Sequence, residues 1–241
     1  MSTPYPVTIL DGQKEKLATL PLIRLFNLGS ATRNPGKAQP HQGEVASAGI
    51  KIAFQIPAPR IYPISISALT SAHDIGVHGD HTSGEVEIVA LTHEGRLLVG
   101  VGSDHTDRDL ERTSISWSKQ VCPNVVAPFF WPFDTVADHW DECVLESEVD
   151  GDLYQRTSVS TFLSPPDLTE VVRQRTDAPV SGTWVFSGTV ASIAGKFSYG
   201  NSWTFRLIDP VFNNTIEHHY ELFNLLGEVH TQYRVPLTSA Q

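Results

Sequence analysis

Ser83-Gly-Glu85-Val-Glu87-Ile-Val-Ala-Leu-Thr-His-Glu94-Gly95-Arg-Leu-Leu-Val-Gly-Val-Gly-Ser103-Asp104 reads as two β-strands joined by a turn at Glu94-Gly95. Side chains two apart on a strand share a face, so Glu85 and Glu87 point the same way. A two-residue loop pairs His93 with Arg96, which places Asp104 opposite Glu85 and Gly102 opposite Glu87. Directly opposed residues also share a face. Three carboxylates then converge, with a glycine leaving room beside them. Protons or a cation must stabilise such a cluster. Oxygen-only ligands favour Mg²⁺, Mn²⁺ or Ca²⁺ over zinc. A three-residue loop at 93–95 would instead set Glu85 opposite Ser103 and turn Asp104 away.

The rest of the chain bounds what such a site serves. Net charge is −10 over 241 residues and no Lys/Arg run interrupts it, which argues against a nucleic-acid binder. Apolar residues make up 40%, enough for a full-sized core. No stretch approaches the length of an apolar membrane span. Met-Ser-Thr-Pro-Tyr-Pro lacks the basic and apolar regions of a signal peptide. Cys122 and Cys143, without CxxC spacing, fit buried thiols in a reduced compartment. The cytoplasm is the expected location.

Residues 6–10 and 21–28 read as short strands around a Gln-Lys-Glu-Lys turn, and 29–40 as a loop. A short helix fits about 38–49, closed by Gly49. Pro57, Pro59 and Pro63 leave no regular element over 55–63. Strands dominate from residue 84. A helix begins within 112–120 and Val121-Cys-Pro breaks it. Strands at 140–149 and 152–160 flank the Asp150-Gly151 turn. Ser164-Pro-Pro-Asp opens a helix, and strands follow near 183–190, 202–208 and 215–223. The expected class is mainly β or α+β. Residues 1–65 form an N-terminal extension with a candidate lid, and 66–241 a metal-binding, catalytic, β-rich domain.

Further side chains have both a chemical and an ordinary reading. His73, His78, His81, His93 and His105 fall in one window, as ligands of a zinc site or as surface histidines around a cleft. His41-Gln-Gly-Glu44 sets a base and a carboxylate at i, i+3, as an oriented general base or as a solvated helical turn. Arg108 suits a substrate carboxylate, or a local salt bridge to Asp107 or Asp109. Lys119 suits an enolate or oxyanion, or the surface. Ser187-Gly-Thr189 offers a ligand a hydroxyl and open backbone, or simply turns the chain. Trp117, Phe129, Phe130, Trp131 and Phe133 cluster either along a pocket for a bulky substrate or in a core or interface.

Together these motifs resemble the fumarylacetoacetate hydrolase superfamily, most closely an uncharacterised branch of it. The family's Glu-x-Glu strand is matched by Glu85-Val-Glu87. Its Asn-Asp-x-Ser/Thr-Ala-Arg-Asp-x-Gln motif is matched by Ser103-Asp104-His-Thr-Asp-Arg108-Asp-Leu-Glu111, and its downstream lysine by Lys119. Its Thr-Gly-Thr strand end is similar to Ser187-Gly-Thr189, and its lid His-x-x-Glu to His41-Gln-Gly-Glu44. The match runs from about residue 30 to 223 and is strongest over 84–119. Ser103 stands for the usual Asn and Glu111 for the usual Gln, and Glu111 would repel a substrate carboxylate that Gln would bind.

The resemblance implies a rolled mixed sheet with few helices, a homodimer, and Mg²⁺ or Mn²⁺ held by Glu85, Glu87 and Asp104. It implies a small 2-oxo acid or β-dicarbonyl substrate chelating that metal. His41 and Glu44 would activate water, while Lys119 and Thr189 meet the developing enolate or the substrate carboxylate. Arg108, Glu111, Ser187 and Gly188 would complete the substrate contacts. The implied activity is hydrolysis of a C–C bond in an acylpyruvate-type compound through a metal-stabilised enolate. The same metal site would also serve an oxo-acid decarboxylase, tautomerase or dehydratase, or a non-catalytic oxo-acid binding protein. No nucleic acid and no membrane enters this reading.

Overall fold

Val86–His93 and Arg96–Asp104 pair antiparallel, with His93 opposite Arg96 and Glu87 opposite Gly102. The two-residue loop is the one expected. Glu94 and Gly95 both have positive φ, +50° and +77°, as the tight turn that matches strand twist requires. At the open end the Asp104 amide donates to the Glu85 carbonyl at 3.0 Å, extending the register by one pair. The computed structural model describes residues 2–34, 39–50 and 56–235.

This hairpin lies inside a ten-stranded mixed sheet and is buried on both faces. On its far side from the carboxylates, Val86, Ile88, Val99 and Val101 pack on Trp203, Phe205, Leu145 and Tyr220 of a second, five-stranded sheet. On the carboxylates' own side, Val89, Leu91 and Leu98 continue into an apolar cluster with Phe130, Trp184 and Phe186. Alternation along each strand therefore feeds two cores. The acidic side chains sit where one of those cores ends. The room expected beside Gly102 is taken by aromatic packing: a Cβ there would stand 2.5 Å from the Phe186 ring.

Among the described residues four α-helices flank the sheets: α1 (Gln39–Ser47), α2 (Arg108–Glu111), α3 (Ile115–Val121) and α4 (Pro165–Arg175). Ser164 caps α4 through the Asp167 amide at 3.3 Å. The mainly β class and the helices at 38–49 and after Ser164 agree with expectation, although residue 38 lies outside the described residues.

Four local readings change. The N-terminal chain turns at Gly12-Gln13 rather than over 13–16, because Lys14–Leu22 is itself a strand paired along Thr3–Asp11. The proline-rich stretch contains the strand Arg60–Ile64. It lies at the sheet edge against Arg24–Gly29, where the missing amide of Pro63 is tolerated. The strand expected at 140–149 starts only at Val144, after a 3₁₀ segment over Ala137–Glu142. The strand expected over 183–190 ends at Phe186. Strands from residues 3–64 pair within the same sheet as the hairpin, so residue 65 marks no boundary in that sheet.

Candidate metal centre

Glu85, Glu87 and Asp104 each offer an oxygen, and these atoms lie within 4.8 Å of one another. All three side chains are buried. Two cations hold them together. Lys119, at the end of α3, places its ammonium on Asp104 and 3.2 Å from Glu85. Arg108, at the start of α2, donates to Glu85 at 2.8 Å, to Glu111 at 2.8 Å and to Ser83 at 2.7 Å. Its guanidinium also lies 4.0 Å from the centroid of the Phe197 ring. Glu87 accepts from the Gly188 amide at 2.8 Å. Gly188 has φ +80°, and a Cβ there would stand 2.3 Å from the Leu28 carbonyl, so only glycine fits.

Burial and neighbouring charge shift these groups. Burial raises the Asp104 carboxyl, Lys119 lowers it and Glu85 raises it again, leaving it near about 6. Burial, then the Asp104 charge, push Glu87 well above the carboxylate range. Burial would raise Glu85 too, but Lys119, Arg108 and His41 outweigh it and hold Glu85 below that range. Lys119 rises well above its ordinary value because Asp104 and Glu85 outweigh the lowering by burial. Lys119 bridges Asp104 and Glu85, and Arg108 bridges Glu85 and Glu111, while Glu87, pushed toward its neutral form, is held by the Gly188 amide. Asp104 Oδ1 and the side-chain nitrogen of Asn27 are both buried without a hydrogen-bond partner. An unsatisfied carboxylate oxygen and an all-oxygen donor set fit Mg²⁺ or Mn²⁺.

His41 and Glu44 come up to the trio. On α1, His41 Nδ1 lies 3.2 Å from Glu44 Oε2, and its Nε2 lies 3.7 Å from Glu85 Oε1. Glu44 is buried and accepts from the Ser192 hydroxyl at 2.5 Å. A cavity of about 70 Å³ lies between these groups, and His41, Glu85, Glu87, Glu111, Lys119, Gly188 and Thr189 all line it. The residues lining a larger cavity of about 550 Å³ near Trp131 and Phe212 include no such convergence of acid, base and cation.

Other expected residues take different parts. Arg108 lies beneath the carboxylates, bonded through each of its three nitrogens to Ser83, Glu111 and Glu85, and is absent from the cavity wall. Glu111 is paired with Arg108, which neutralises the repulsion expected from it. Ser187 is fully buried, receives the Ile88 amide and donates to the Gly188 carbonyl, so it shapes the turn. The five aromatics do not line the cavity; Phe130 and Trp131 are core residues and Trp117 is exposed. The histidine window does not assemble: His73 binds the His219 carbonyl, His81 faces Asp109, and His105 is buried between Thr82 and Tyr220. Burial lowers His105 to about 3, which keeps its ring neutral.

The sequence reading missed Arg60 and Tyr62, which line the cavity, and Ser192, which holds Glu44. Burial raises Tyr62, offset in part by Lys119 and Arg60. The alternation in Arg60-Ile-Tyr62-Pro-Ile64 was the available signal, masked by its proline neighbours.

The family model described as "Protein of unknown function (DUF2848)" matches residues 29–220. The chain belongs to this family. Solved structures place the DUF2848 chain in a known fold. A Burkholderia cenocepacia protein provisionally named a fumarylpyruvate hydrolase is 17% identical, with a TM-score of 0.61 and 93% of each chain covered. The fumarylpyruvate hydrolase of Pseudomonas aeruginosa, solved with Mn²⁺ and pyruvate, is 15% identical. Its TM-score is 0.59, with 93% of this chain and 98% of that one covered. A fumarylacetoacetate hydrolase family protein from yeast is 13% identical, with a TM-score of 0.57 and 84% and 94% covered. The DUF2848 chain therefore has the fumarylacetoacetate hydrolase fold. No curated protein sequence matches it. Among the described residues no helix is long and apolar enough to cross a membrane.

Proposed function

We propose that this chain is a metal-dependent hydrolase that cleaves a C–C bond of an acylpyruvate-type 2-oxo acid. The observation that carries this reading is the meeting of two devices in one cavity. A buried carboxylate trio, Glu85, Glu87 and Asp104, lies beside a base already oriented by a carboxylate, His41 with Glu44. The trio would hold Mg²⁺ or Mn²⁺, which would supply Lewis acidity to a chelating dicarbonyl.

The protein's own groups account for the rest. Glu44 fixes the proton of His41 on Nδ1, leaving Nε2 as the acceptor that faces the cavity. Nε2 removes a proton from water as that water attacks the acyl carbonyl. The bond between that carbonyl carbon and the adjacent methylene breaks, and its electron pair leaves with the pyruvate half as an enolate. Lys119 stabilises the oxyanion through ammonium hydrogens not engaged by Asp104 and Glu85. The Thr189 hydroxyl, which lies at the cavity wall and is held by the Val86 carbonyl and Gln155, positions the substrate. Protonation of the enolate gives pyruvate and a carboxylic acid. The small cavity suits compact acyl groups. The reading extends to a homodimer working in the cytoplasm.

His41→Ala separates the alternatives. With Mn²⁺ present it should lower hydrolysis of acylpyruvates by at least about a hundredfold, the usual contribution of a positioned base. Turnover at the wild-type rate in this variant would contradict hydrolysis as assigned and favour a decarboxylase or tautomerase. Metal binding without turnover of any oxo acid would favour a binding protein.

A further inference from the structure

Another convergence of metal-binding side chains lies outside the carboxylate trio. His139 sits at a kink of the 3₁₀ segment Ala137–Glu142, and Cys143 follows that segment directly. Asp209 ends the strand Ser202–Asp209, which pairs with Val144–Val149. One nitrogen of His139, Cys143 Sγ and one oxygen of Asp209 lie within 4.8 Å of one another. Cys143 and Asp209 are completely buried, and the His139 side chain is 11% exposed.

Two of these groups are left unsatisfied. Asp209 Oδ1 accepts from the backbone amides of Val211 and Phe212, at 2.9 and 3.3 Å, but Oδ2 has no partner. His139 Nε2 comes within 3.1 Å of Asp209 Oδ1 without the alignment of a hydrogen bond, and it too has no partner. A buried carboxylate oxygen and a buried imidazole nitrogen are rarely left so, because each forfeits its hydration. A thiol beside them supplies a third donor.

We propose that His139, Cys143 and Asp209 form a zinc site, separate from the all-oxygen trio. The donor chemistry selects the metal: thiolate and imidazole suit zinc, whereas the trio offers only hard oxygens. Zinc bonds of about 2.0–2.3 Å bring ligand atoms to roughly 3.3–3.8 Å apart in a tetrahedron. The three groups, now within 4.8 Å of one another, therefore need to draw together by up to about 1.5 Å. Cys143 loses its S–H proton to solvent as the sulfur–zinc bond forms, so one proton leaves per zinc bound. The site fastens the segment Ala137–Glu142 to the end of the second sheet.

Cobalt substitution tests this, because a thiolate ligand gives cobalt a sulfur-to-metal charge-transfer band and carboxylates do not. Protein purified without added metal is titrated with Co²⁺, then with Zn²⁺. The expected result is a charge-transfer band in the wild type that one equivalent of Zn²⁺ abolishes. The band should persist in Asp104→Asn and Cys122→Ser and vanish in Cys143→Ser. Cys122 is the necessary control because it is also buried and feels the Asp104 charge. No band in the wild type, a band surviving in Cys143→Ser, or a band lost in Cys122→Ser would overturn the site. Should Cys143→Ser not fold, His139→Gln serves instead, and an unchanged cobalt spectrum in that variant counts equally against the proposal.

Discussion

Acidification should weaken metal binding at the carboxylate trio, by an amount set by the protons its members carry. Asp104 titrates near about 6 in the metal-free protein, well above its ordinary 3.8, chiefly because it is buried. Between pH 7 and pH 5 its ionised fraction falls about tenfold, and apparent affinity for Mn²⁺ falls with it, a loss of about 1.4 kcal/mol. Glu87, held well above the carboxylate range by burial and by Asp104, adds up to about another tenfold per pH unit below its own pKa. The same shifts act on stability with a definite sign. Asp104 binds its proton more tightly folded than unfolded, so metal-free stability falls as pH rises from about 4 to about 6, by about 3 kcal/mol for this group. Glu85 works in the opposite direction, because its folded pKa is depressed. Calorimetric titration with Mn²⁺ at pH 5, 6 and 7, each in two buffers of different ionisation enthalpy, gives the affinity and the protons released. Asp104→Asn should remove about one tenfold step from the profile. An affinity flat within about twofold over this range, or a variant with the wild-type pH dependence, would refute the electrostatic account.

Two substitutions test how the trio is held. Lys119→Met removes the ammonium bridging Asp104 and Glu85, and should cost the metal-free protein about 3 kcal/mol, limited by proton uptake on Asp104. Mn²⁺ should restore most of the lost melting temperature, and a variant as stable as wild type without metal would contradict this. Gly188→Ala forces a side chain against the Leu28 carbonyl and disturbs the amide that holds Glu87, so it should cost about 3 kcal/mol and weaken Mn²⁺ binding. Thermal melts with and without metal check both, and an unaltered Mn²⁺ affinity in Gly188→Ala would separate Glu87 from the centre.

The hairpin's two strands were legible, but its register was not fixed by apolar residues on both faces; the two-residue turn at Glu94-Gly95, with both φ positive, decides it against a three-residue loop. The His41–Glu44 pair was legible because i, i+3 spacing on a short helix leaves little freedom. Arg60–Ile64 was not, since its prolines look like a break unless the strand is known to lie at an edge. Arg108 was assigned to the substrate because a sequence shows an arginine's chemistry but not that Ser83, Glu85 and Glu111 will surround it. His139, Cys143 and Asp209 come from segments that meet only when the second sheet forms.

The central claim is that a metal site and an oriented histidine together hydrolyse a C–C bond, and product analysis in heavy-oxygen water tests it most directly. Mn²⁺-loaded protein is incubated with a panel of acylpyruvates in water enriched in oxygen-18. The account predicts pyruvate and a carboxylic acid in equal amounts, with one heavy oxygen in the acid, and no reaction after Glu85→Gln. Carbon dioxide or an isomer as product, or no turnover of any member of the panel, would contradict it.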